Sequence, residues 1–383
     1  MRQITYLFIL LCVATVGLFA KEYERVLTEK SSVQTALAIN PDVLEYVQNL
    51  EYAKERLKEA HALYFPTVGF NLNISKFNNA KPGLISGENS QTLIYLPSGK
   101  KDLYWSTQLS VWQSLYTGGV IRTTNKLAHI NLSKVKSDEN IIKSRVTNNI
   151  KTIFNECLYH KALVKFYDEK FKISNNPSLK TKKEMEILKY NQEVLELLNA
   201  IGLDLNTIVA ISDNLEPKIK KADLEKCLLI AYQYKSEFKS TQEQQTLDGL
   251  MLNMLYMQKA PNISVGVAHQ WTGDQIVGDD TNSYCTLNLN VPIFDGGSIF
   301  ARIKQGKIKY RKSTLKRAKL ESDIRLEIMQ AFLEYDFFRQ QAINSKLLDK
   351  NSKYNEADIE LIYNLNKNYL NLELAVGVEL DSY

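Results

Sequence analysis

Few side chains in this sequence are arranged in a way that could support chemistry. Cys157 and His160 lie three residues apart, a spacing that can place two metal ligands on one face of a helix. No further cysteine or histidine lies near them, and Cys157 falls on a repeating apolar seam, so packing explains the pair better. Beyond residue 20 the other cysteines are Cys227 and Cys285, and an odd total without paired spacing argues against disulfides or zinc.

The sequence contains no glycine-rich phosphate loop, nucleophile elbow or zinc-binding helix motif. These motifs carry most of the chemistry that can be identified from spacing alone. We therefore expect no catalytic, cofactor-binding or metal site, and an enzyme is the class that the sequence supports least.

The composition indicates a folded protein built mainly from long elements. The chain has 383 residues, of which 44% are hydrophobic and 24% are charged, and this excludes wholesale disorder. It contains 8 prolines and 16 glycines, a scarcity that favours long helices over the many short strands of an all-β sandwich. The formal charge of +5 is spread along the chain, so nucleic acid is not an expected partner.

The first 20 residues, MRQITYLFILLCVATVGLFA, are typical of a cleaved export signal. Arg2 precedes an apolar run, and small residues lead to Ala20. A membrane anchor is the alternative, but the apolar core is short for a spanning helix and is interrupted by Thr15 and Gly17. Lipid attachment at Cys12 is disfavoured because leucines precede it, where a lipoprotein signal requires a small residue.

Two parts of the chain repeat each other. Strand-like stretches begin PTVGF at Pro66 and PNISV at Pro261, and the separation of these two prolines is the proline offset. Apolar residues of the preceding helices match at the same offset. Downstream, the motif YTGG of the first part matches FDGG of the second, and the separation of Gly118 and Gly296 in these motifs is the glycine offset. Apolar residues of the following helices match at this offset. We infer two homologous halves, 21–217 and 218–383, each ordered helix, strand, strand, helix, helix.

Each half contains two segments of period-two alternation, which predicts four two-faced strands. They cover residues 66–77, 104–115, 261–271 and 283–293. A length of roughly ten residues suits a tilted strand that crosses a bilayer, and aromatic residues such as Trp105 lie near the strand ends. On this interpretation the lipid-facing residues are Val68, Phe70, Leu72, Leu109, Val111, Val265, Leu287 and Leu289.

A soluble sheet with one wet face would show the same alternation, so this alternative stays open. Beyond the export signal no stretch reaches the roughly 18 apolar residues of a membrane helix, so any spanning of the membrane must be done by strands. Four strands cannot close a barrel, because the smallest closed barrels have about eight and open edges are excluded from lipid. The membrane interpretation therefore requires an oligomer.

Long amphipathic helices follow each pair of strands. Apolar residues recur every seven positions from Ile121 to Ile142, which is typical of a coiled-coil seam, with an ordinary bundle helix as the alternative. The spans 119–202 and 297–377 each have room for a helical hairpin with legs of roughly 40 residues, about 60 Å long. An Asn-Asn-Pro breaker at 175–177 is a candidate for the first hairpin turn. It lies about 56 residues after Gly119 and about 25 before Gly202, so either the legs are unequal or the turn lies earlier.

Together these motifs resemble the TolC family of outer-membrane efflux proteins. The resemblance covers nearly the whole mature chain and includes the strand-to-helix motifs SLYTGG and PIFDGG; its most specific part is NVPIFDGGSIFARIKQGKIKY at 290–310. In each half a glycine pair would permit a tight strand-to-helix transition that bulky side chains hinder. These glycines are Gly118, Gly119, Gly296 and Gly297.

The resemblance implies a mainly helical protein with a membrane β-barrel portion. Each protomer would give four strands to a 12-stranded trimeric barrel, continued by an α-helical tunnel. The protein would be the outer-membrane exit duct of a tripartite efflux or type I secretion system, passively conducting drugs, metabolites or polypeptides from periplasm to exterior. Its implied partners are two further copies of itself, a periplasmic adaptor (membrane fusion) protein, an inner-membrane efflux pump or ABC transporter, and outer-membrane lipid.

The sequence departs from the family pattern at the ends of the helical hairpins. Family members carry a Tyr and Gly turn and a leucine-rich helical stretch just past the tip, and neither is found in 171–190 or 345–364. Both hairpins therefore look shortened alike, which implies a shorter tunnel. Acidic residues that resemble the family's tip gate, with solvated helix surface as the alternative for each, are Asp168, Glu169, Glu334 and Asp336.

A second function stays open from the sequence. The chain could be a soluble periplasmic helical scaffold or adaptor, in which the four strands form a small sandwich without a lipid face. The two hypotheses differ in what covers the apolar strand residues, which is lipid in the first and protein in the second.

Overall fold

The structure, a computed structural model, describes residues 25–76, 83–86, 93–96, 103–273, 275–345, 347, 354–378 and 380. The predicted export signal, with Cys12, lies outside the described residues. The chain divides into two units. The first comprises Met1–Gln48, Asp138–Glu237 and Glu321–Tyr383, and the second comprises Asn49–Ser137 and Phe238–Leu320.

Helices make up most of the described chain, which confirms the prediction of a mainly helical protein. In chain order they are α1 (Glu29–Ile39), α2 (Pro41–Ala62), α3 (Val120–Ser174), α4 (Pro177–Ile201), α5 (Leu224–Tyr234), α6 (Ser236–Met257), α7 (Ser298–Asn344) and α8 (Glu356–Val376). Within the residues described, none of these helices has the length and apolar character needed to cross a bilayer.

The strands of the described residues form three sheets. In chain order they are β1 (Arg25–Leu27), β2 (Thr67–Lys76), β3 (Gly83–Ser86), β4 (Leu93–Leu96), β5 (Leu103–Tyr116), β6 (Val209–Ile211), β7 (Asn262–Gly273) and β8 (Asp280–Asn290). The main sheet is antiparallel with the order β2-β5-β7-β8, and it lies in the second unit. β3 pairs with β4, and β1 pairs in parallel with β6; neither small sheet was predicted from the sequence.

The last strand lies earlier in the chain than the alternation predicts. The predicted strand was 283–293, whereas β8 begins at Asp280 and ends at Asn290. Pro292 has no N–H to donate to a neighbouring strand, so the ladder ends before it. The apolar alternation continues past Asn290 into the connection to α7, and this misled the prediction.

The first helical hairpin has legs of unequal length. α3 has 55 residues and α4 has 25, so of the two alternatives open from the sequence the structure shows unequal legs, not an earlier turn between legs of roughly 40 residues. The turn falls at the Asn-Asn-Pro breaker, where Asn175 has a φ of 47° and Asn176 Oδ1 accepts a hydrogen bond from Ser178 N at 3.0 Å. Pro177 occupies the first helical turn, where its missing N–H leaves no helical bond unmade. The breaker thus lies well past the midpoint of the span.

The ends of α4 and α8 are held by equivalent contacts within the first unit. Asn40 Nδ2 donates a hydrogen bond to Ala200 O at 2.8 Å, near the end of α4. Lys235 Nζ donates to Ala375 O at 2.8 Å, near the end of α8, and lies 3.1 Å from Glu327 Oε2. The two donors are related by the proline offset, and the two acceptors lie at matching positions near the ends of α4 and α8.

An apolar core joins α3, α4 and the small parallel sheet in the first unit. Its residues come from α1, from the middle of α3, from the end of α4, and from β1 and β6. They are Leu27, Ala36, Ile150, Ile153, Phe154, Cys157, Leu158, Leu197, Ile201 and Ile211.

Candidate functional site

The apolar residues of the main sheet form one exposed face. Across the β2–β5 pair, Phe70 lies opposite Leu109, and across the β7–β8 pair Val265 lies opposite Leu287. Phe70 is 64% exposed and Leu287 is 69% exposed. Seven of the eight residues predicted to face lipid are exposed, and Val265 is partly exposed. The seven are Val68, Phe70, Leu72, Leu109, Val111, Leu287 and Leu289.

The opposite face of the same sheet is polar, and its central part is buried. Gln108 of β5 is 4% exposed, and Ser106 and Gln270 are buried beside it. Gln270 Nε2 donates to Ser106 Oγ at 2.8 Å, and Gln108 Nε2 donates to Tyr284 OH at 2.6 Å. Hydrogen bonds between side chains therefore replace the apolar packing expected on the buried face of a sheet.

This arrangement is the reverse of a sheet in a soluble protein, which buries its apolar face and leaves its polar face in water. A contiguous exposed apolar surface marks a site of contact with another protein or with a membrane. Strands of membrane barrels alternate between apolar residues that face lipid and polar residues that face the interior. The sandwich alternative requires a protein layer over the apolar face, and the exposures show that the described residues provide none.

Each strand pair leads into its long helix through two glycines with left-handed backbone. Gly118 has a φ of 63° and Gly119 of 88°, and Gly296 has 69° and Gly297 84°. A side chain in this conformation costs about 1–2 kcal/mol. The surroundings of the two pairs differ. A β-carbon added to Gly118 would lie 2.5 Å from Ala260 Cβ, whereas a β-carbon added to Gly296 would have no neighbouring atom within 4 Å.

This difference predicts unequal effects for two matched substitutions. Gly296→Ala should lower the free energy of unfolding by about 1–2 kcal/mol through backbone strain alone. Gly118→Ala should lower it further, because Ala260 Cβ at 2.5 Å and Met257 O at 2.9 Å must also move. Urea unfolding of the two variants as dissociated single chains measures the difference, and equal losses would contradict the packing described here.

The acidic residues predicted for the first hairpin tip lie shortly before the turn. Asp168 and Glu169 lie on α3, which ends at Ser174, and Glu169 is exposed. Asp168 Oδ2 lies 2.6 Å from Lys172 Nζ, and Asp168 Oδ1 lies 2.5 Å from Lys183 Nζ on α4. These two hydrogen bonds lower the pKa of Asp168 to about 2. The carboxylate is therefore charged at neutral pH and links the two helices next to their turn.

The predicted residues of the second half lie farther from the end of their helix. Glu334 and Asp336 are on α7, which ends at Asn344, and Glu334 is exposed. Asp336 Oδ1 accepts from Arg339 Nη2 at 2.6 Å, and Asp336 Oδ2 accepts from Gln340 Nε2 at 2.6 Å. Asp336 is thus bonded to the next turn of its own helix.

Cys157 and His160 take part in different interactions. Cys157 is fully buried in the apolar core, and this burial raises the pKa of its thiol. His160 Nδ1 lies 2.6 Å from Glu186 Oε2 on α4, and Glu186 Oε1 lies 2.9 Å from Lys189 Nζ. Across the described part of the chain, no group of three or more His, Cys, Asp or Glu side chains is placed to hold a metal ion.

Glu193 of α4 lies in an acidic environment. Burial, followed by the charges of Glu156 and Glu196, raises the pKa of Glu193 to about 7. Its Oε2 atom is buried and has no hydrogen-bond partner within the described residues. Glu156 is held from α8, because Tyr363 OH donates to Glu156 Oε1 at 3.0 Å and Lys367 Nζ lies 3.6 Å from the same oxygen. Glu193 therefore stays largely protonated in mildly acidic solution.

The raised pKa of Glu193 predicts a pH-dependent stability. Folded Glu193 binds its proton more tightly than the unfolded chain does, so its stabilisation is full below the ordinary glutamate pKa and is lost as the pH rises through about 7. We expect the free energy of unfolding to fall between about pH 5 and pH 8, and Glu193→Gln to remove part of that slope. Urea unfolding across this range measures the slope, with the exposed Glu169→Gln as control; an unchanged slope in Glu193→Gln would contradict the assignment.

Two features of the first unit escaped the sequence analysis. β1 and β6 have three residues each, too few for any periodicity to be detected. The segment after β6 is held by side chains from two helices. Tyr335 OH of α7 accepts from Lys220 N at 2.8 Å and donates to Lys220 O at 2.7 Å, and Asn366 Oδ1 of α8 accepts from Lys218 N at 2.8 Å.

Solved structures of outer-membrane channels share this fold. OprN aligns with a TM-score of 0.70 at 11% identity, covering 91% of this chain and 89% of OprN. MtrE of Neisseria gonorrhoeae aligns at 0.67 and 14% identity, covering 92% and 89%, and CmeC of Campylobacter jejuni at 0.62 and 15%, covering 92% and 86%. No family model and no curated protein matches the sequence. The resemblance to the TolC family predicted from the sequence is thus confirmed at the level of the fold.

Proposed function

We propose that this protein is an outer-membrane channel that serves as the passive exit duct of an export system. The observation that carries the proposal is the main sheet, with its apolar face exposed and its polar face internally hydrogen-bonded. The fold shared with outer-membrane channels supports the same conclusion. Cleavage of residues 1–20 as an export signal would bring the mature chain to the periplasm.

Three copies would close one barrel of 12 strands. β2 and β8 are the edges of the main sheet within the described residues, and their backbone groups need partners before the sheet can enter lipid. Four strands from each of three copies exceed the roughly eight strands of the smallest closed barrels. A trimer therefore satisfies a requirement that one chain cannot meet.

The two halves of the chain would form pseudo-equivalent parts of this assembly. In the first hairpin Thr67 lies opposite Trp112, and in the second Asn262 lies opposite Asn290. Asn262 is the counterpart of Thr67 at the proline offset, and Asn290 is the counterpart of Trp112 at the glycine offset. The matching registers support two tandem halves, each giving one hairpin to the barrel.

The long helices would continue the barrel into a periplasmic tunnel. α3 and α7 each begin directly after a glycine pair that follows a strand of the main sheet. Drugs, metabolites or polypeptides would move through the tunnel by diffusion. A periplasmic adaptor would join it to an inner-membrane pump or ABC transporter, which supplies the energy.

The hairpin ends would form the periplasmic tip of the tunnel. The salt bridges of Asp168 with Lys172 and Lys183, close to the first turn, support a held-together tip in the first half. The full set of residues proposed for a tip gate is Asp168, Glu169, Glu334 and Asp336.

Membrane fractionation followed by a heat-modifiability gel tests the proposed function. We expect the mature protein in the outer-membrane fraction as a detergent-resistant trimer that dissociates on boiling. Release of a soluble monomer by osmotic shock would contradict the channel and would favour the periplasmic scaffold.

A further inference from the structure

We infer that β8 of one copy pairs with β2 of the next copy through the same contacts that join β5 to β7 within one chain. The inference rests on the proposed channel and names the residues that close it. All residues concerned belong to the second unit of the fold.

The register of the new pairing follows from the internal one. Within the chain, β5 and β7 place Thr107 opposite Trp271. The two hairpins already follow the proline offset in their first strands and the glycine offset in their second strands. The glycine offset relates Thr107 of β5 to Cys285 of β8, and the proline offset relates Trp271 of β7 to Lys76 of β2. Cys285 of one copy is therefore expected opposite Lys76 of the next copy.

The same register matches apolar residues with apolar residues. Val111 lies opposite Val267 inside the chain, and its counterpart is Leu289 opposite Leu72 of the next copy. All four side chains lie on the exposed apolar face of the sheet. A shift by one residue would place an apolar side chain on the polar face, so the two-faced pattern excludes such a shift from this register.

The glycine pairs supply independent support. Gly118 is packed against Ala260, so closely that an added β-carbon would lie 2.5 Å from Ala260 Cβ. A β-carbon added to its counterpart Gly296 would have no neighbouring atom within 4 Å in a single chain. The residue that corresponds to Ala260 in the first half, at the proline offset, is Phe65. We therefore place Phe65 of the next copy over Gly296.

The residues on both sides of this predicted contact are exposed apolar side chains. Ile293 is 93% exposed and Phe294 is 86% exposed, beside the Gly296 transition. Leu63 and Phe65 are exposed at the end of α2, before β2 begins. Side chains of this size at two edges of one sheet are expected to be covered in the assembled protein.

A second copy is the occupant that fits both edges at once. Lipid could cover the apolar side chains but could not bond the backbone N–H and C=O groups of β2 and β8. An unrelated protein would have no reason to reproduce the β5–β7 register. The internal β5–β7 contact shows that this chain contains the two complementary surfaces.

Disulfide formation in Lys76→Cys tests the register directly. Residues directly opposite in an antiparallel pair have Cα atoms about 4.5–5.5 Å apart, within the range of a disulfide. The native Cys285 is exposed, whereas Cys157 and Cys227 are buried. Outer membranes are treated with oxygen and copper phenanthroline; two thiols lose two electrons and two protons to oxygen and form one S–S bond between copies.

We expect Lys76→Cys to give covalent dimers and trimers on a non-reducing gel, at least roughly tenfold more than the control Ser75→Cys, whose side chain faces the other side of the strand. Adding Cys285→Ser to Lys76→Cys should abolish the product. The double variant Leu72→Cys with Leu289→Cys, made in the Cys285→Ser chain, should cross-link as well.

The outcomes separate the register from the channel itself. Strong cross-linking of Ile74→Cys in place of Lys76→Cys, in a protein that remains an outer-membrane trimer, would overturn the inferred register and leave the channel standing. A membrane trimer in which neither the Lys76 nor the Leu72 variant cross-links would overturn the β8–β2 pairing. A protein that is monomeric and soluble on fractionation would contradict both the pairing and the proposed function.

Discussion

Replacing Phe70 with arginine should prevent the protein from accumulating in the outer membrane as a stable oligomer. Phe70 lies near the middle of β2 and is 64% exposed on the apolar face of the sheet. An arginine on the lipid face costs about 2–4 kcal/mol near the bilayer midplane. At a position exposed to water the same change from an apolar side chain would be neutral or favourable. The sign of the effect therefore distinguishes lipid from water as the surroundings of Phe70.

Asn71→Arg provides the matched control. Asn71 is the next residue of β2, is also exposed, and its side chain projects from the opposite, polar face. The yield of heat-modifiable oligomer in outer-membrane fractions measures both variants against the unchanged protein. We expect a loss for Phe70→Arg and a nearly normal yield for Asn71→Arg. Normal yields for both would show that water, not lipid, covers the apolar face.

Tyr335→Ala should cause the largest loss of stability in the first unit. Tyr335 is fully buried in α7, and its hydroxyl both donates to and accepts from the backbone of Lys220. Truncating a buried aromatic side chain typically costs about 3–5 kcal/mol. The loss would also release the segment that connects β6 to α5, because two of its backbone hydrogen bonds end on Tyr335.

Two further variants separate the causes of this loss. Tyr335→Phe keeps the ring and removes the hydroxyl, and we expect it to cost about 0.5–1.5 kcal/mol because the hydrogen bonds to the backbone of Lys220 are lost. Phe337→Ala, at an exposed position of the same helix, should change the free energy of unfolding by about 0.5 kcal/mol or less. Denaturant unfolding measures all three, and similar effects of Tyr335→Ala and Phe337→Ala would refute the role of Tyr335.

The sheet could be predicted from the sequence because its information is local. Val68, Phe70 and Leu72 alternate with polar residues, and this pattern alone specifies a two-faced strand. The Asn-Asn-Pro breaker at 175–177 likewise marked the hairpin turn, because Pro177 cannot continue a preceding helix without losing a hydrogen bond. Composition and alternation could not show which face is buried, since that depends on the whole sheet.

Features that depend on distant residues were missed. β1 and β6 pair Arg25 with Val209, which are far apart in the sequence, and neither strand is long enough to show a pattern. The raised pKa of Glu193 comes from its burial in the folded chain and from the charges of Glu156, on another helix, and Glu196. The difference between the two glycine pairs arises from Ala260 and Met257, which lie beside Gly118 and are distant from the motif in sequence. Such contacts become visible only when the chain is folded.

The native Cys285 allows the most direct test of the claim that lipid covers the apolar face. Cys285 lies at the middle of β8, is exposed, and lies opposite Val267 on the apolar face. A thiol covered by lipid does not meet a charged, water-soluble reagent, so it should react slowly. The comparison is Thr286→Cys in the Cys285→Ser chain, whose thiol would be on the polar face.

The measurement is the rate of labelling of both proteins in washed outer membranes by a charged, membrane-impermeant maleimide. We expect Cys285 to react at least roughly tenfold more slowly than the thiol of Thr286→Cys, and unfolding in denaturant to remove the difference. Equal rates in the native membranes would show that Cys285 faces water, and the proposed membrane-embedded sheet would then be wrong.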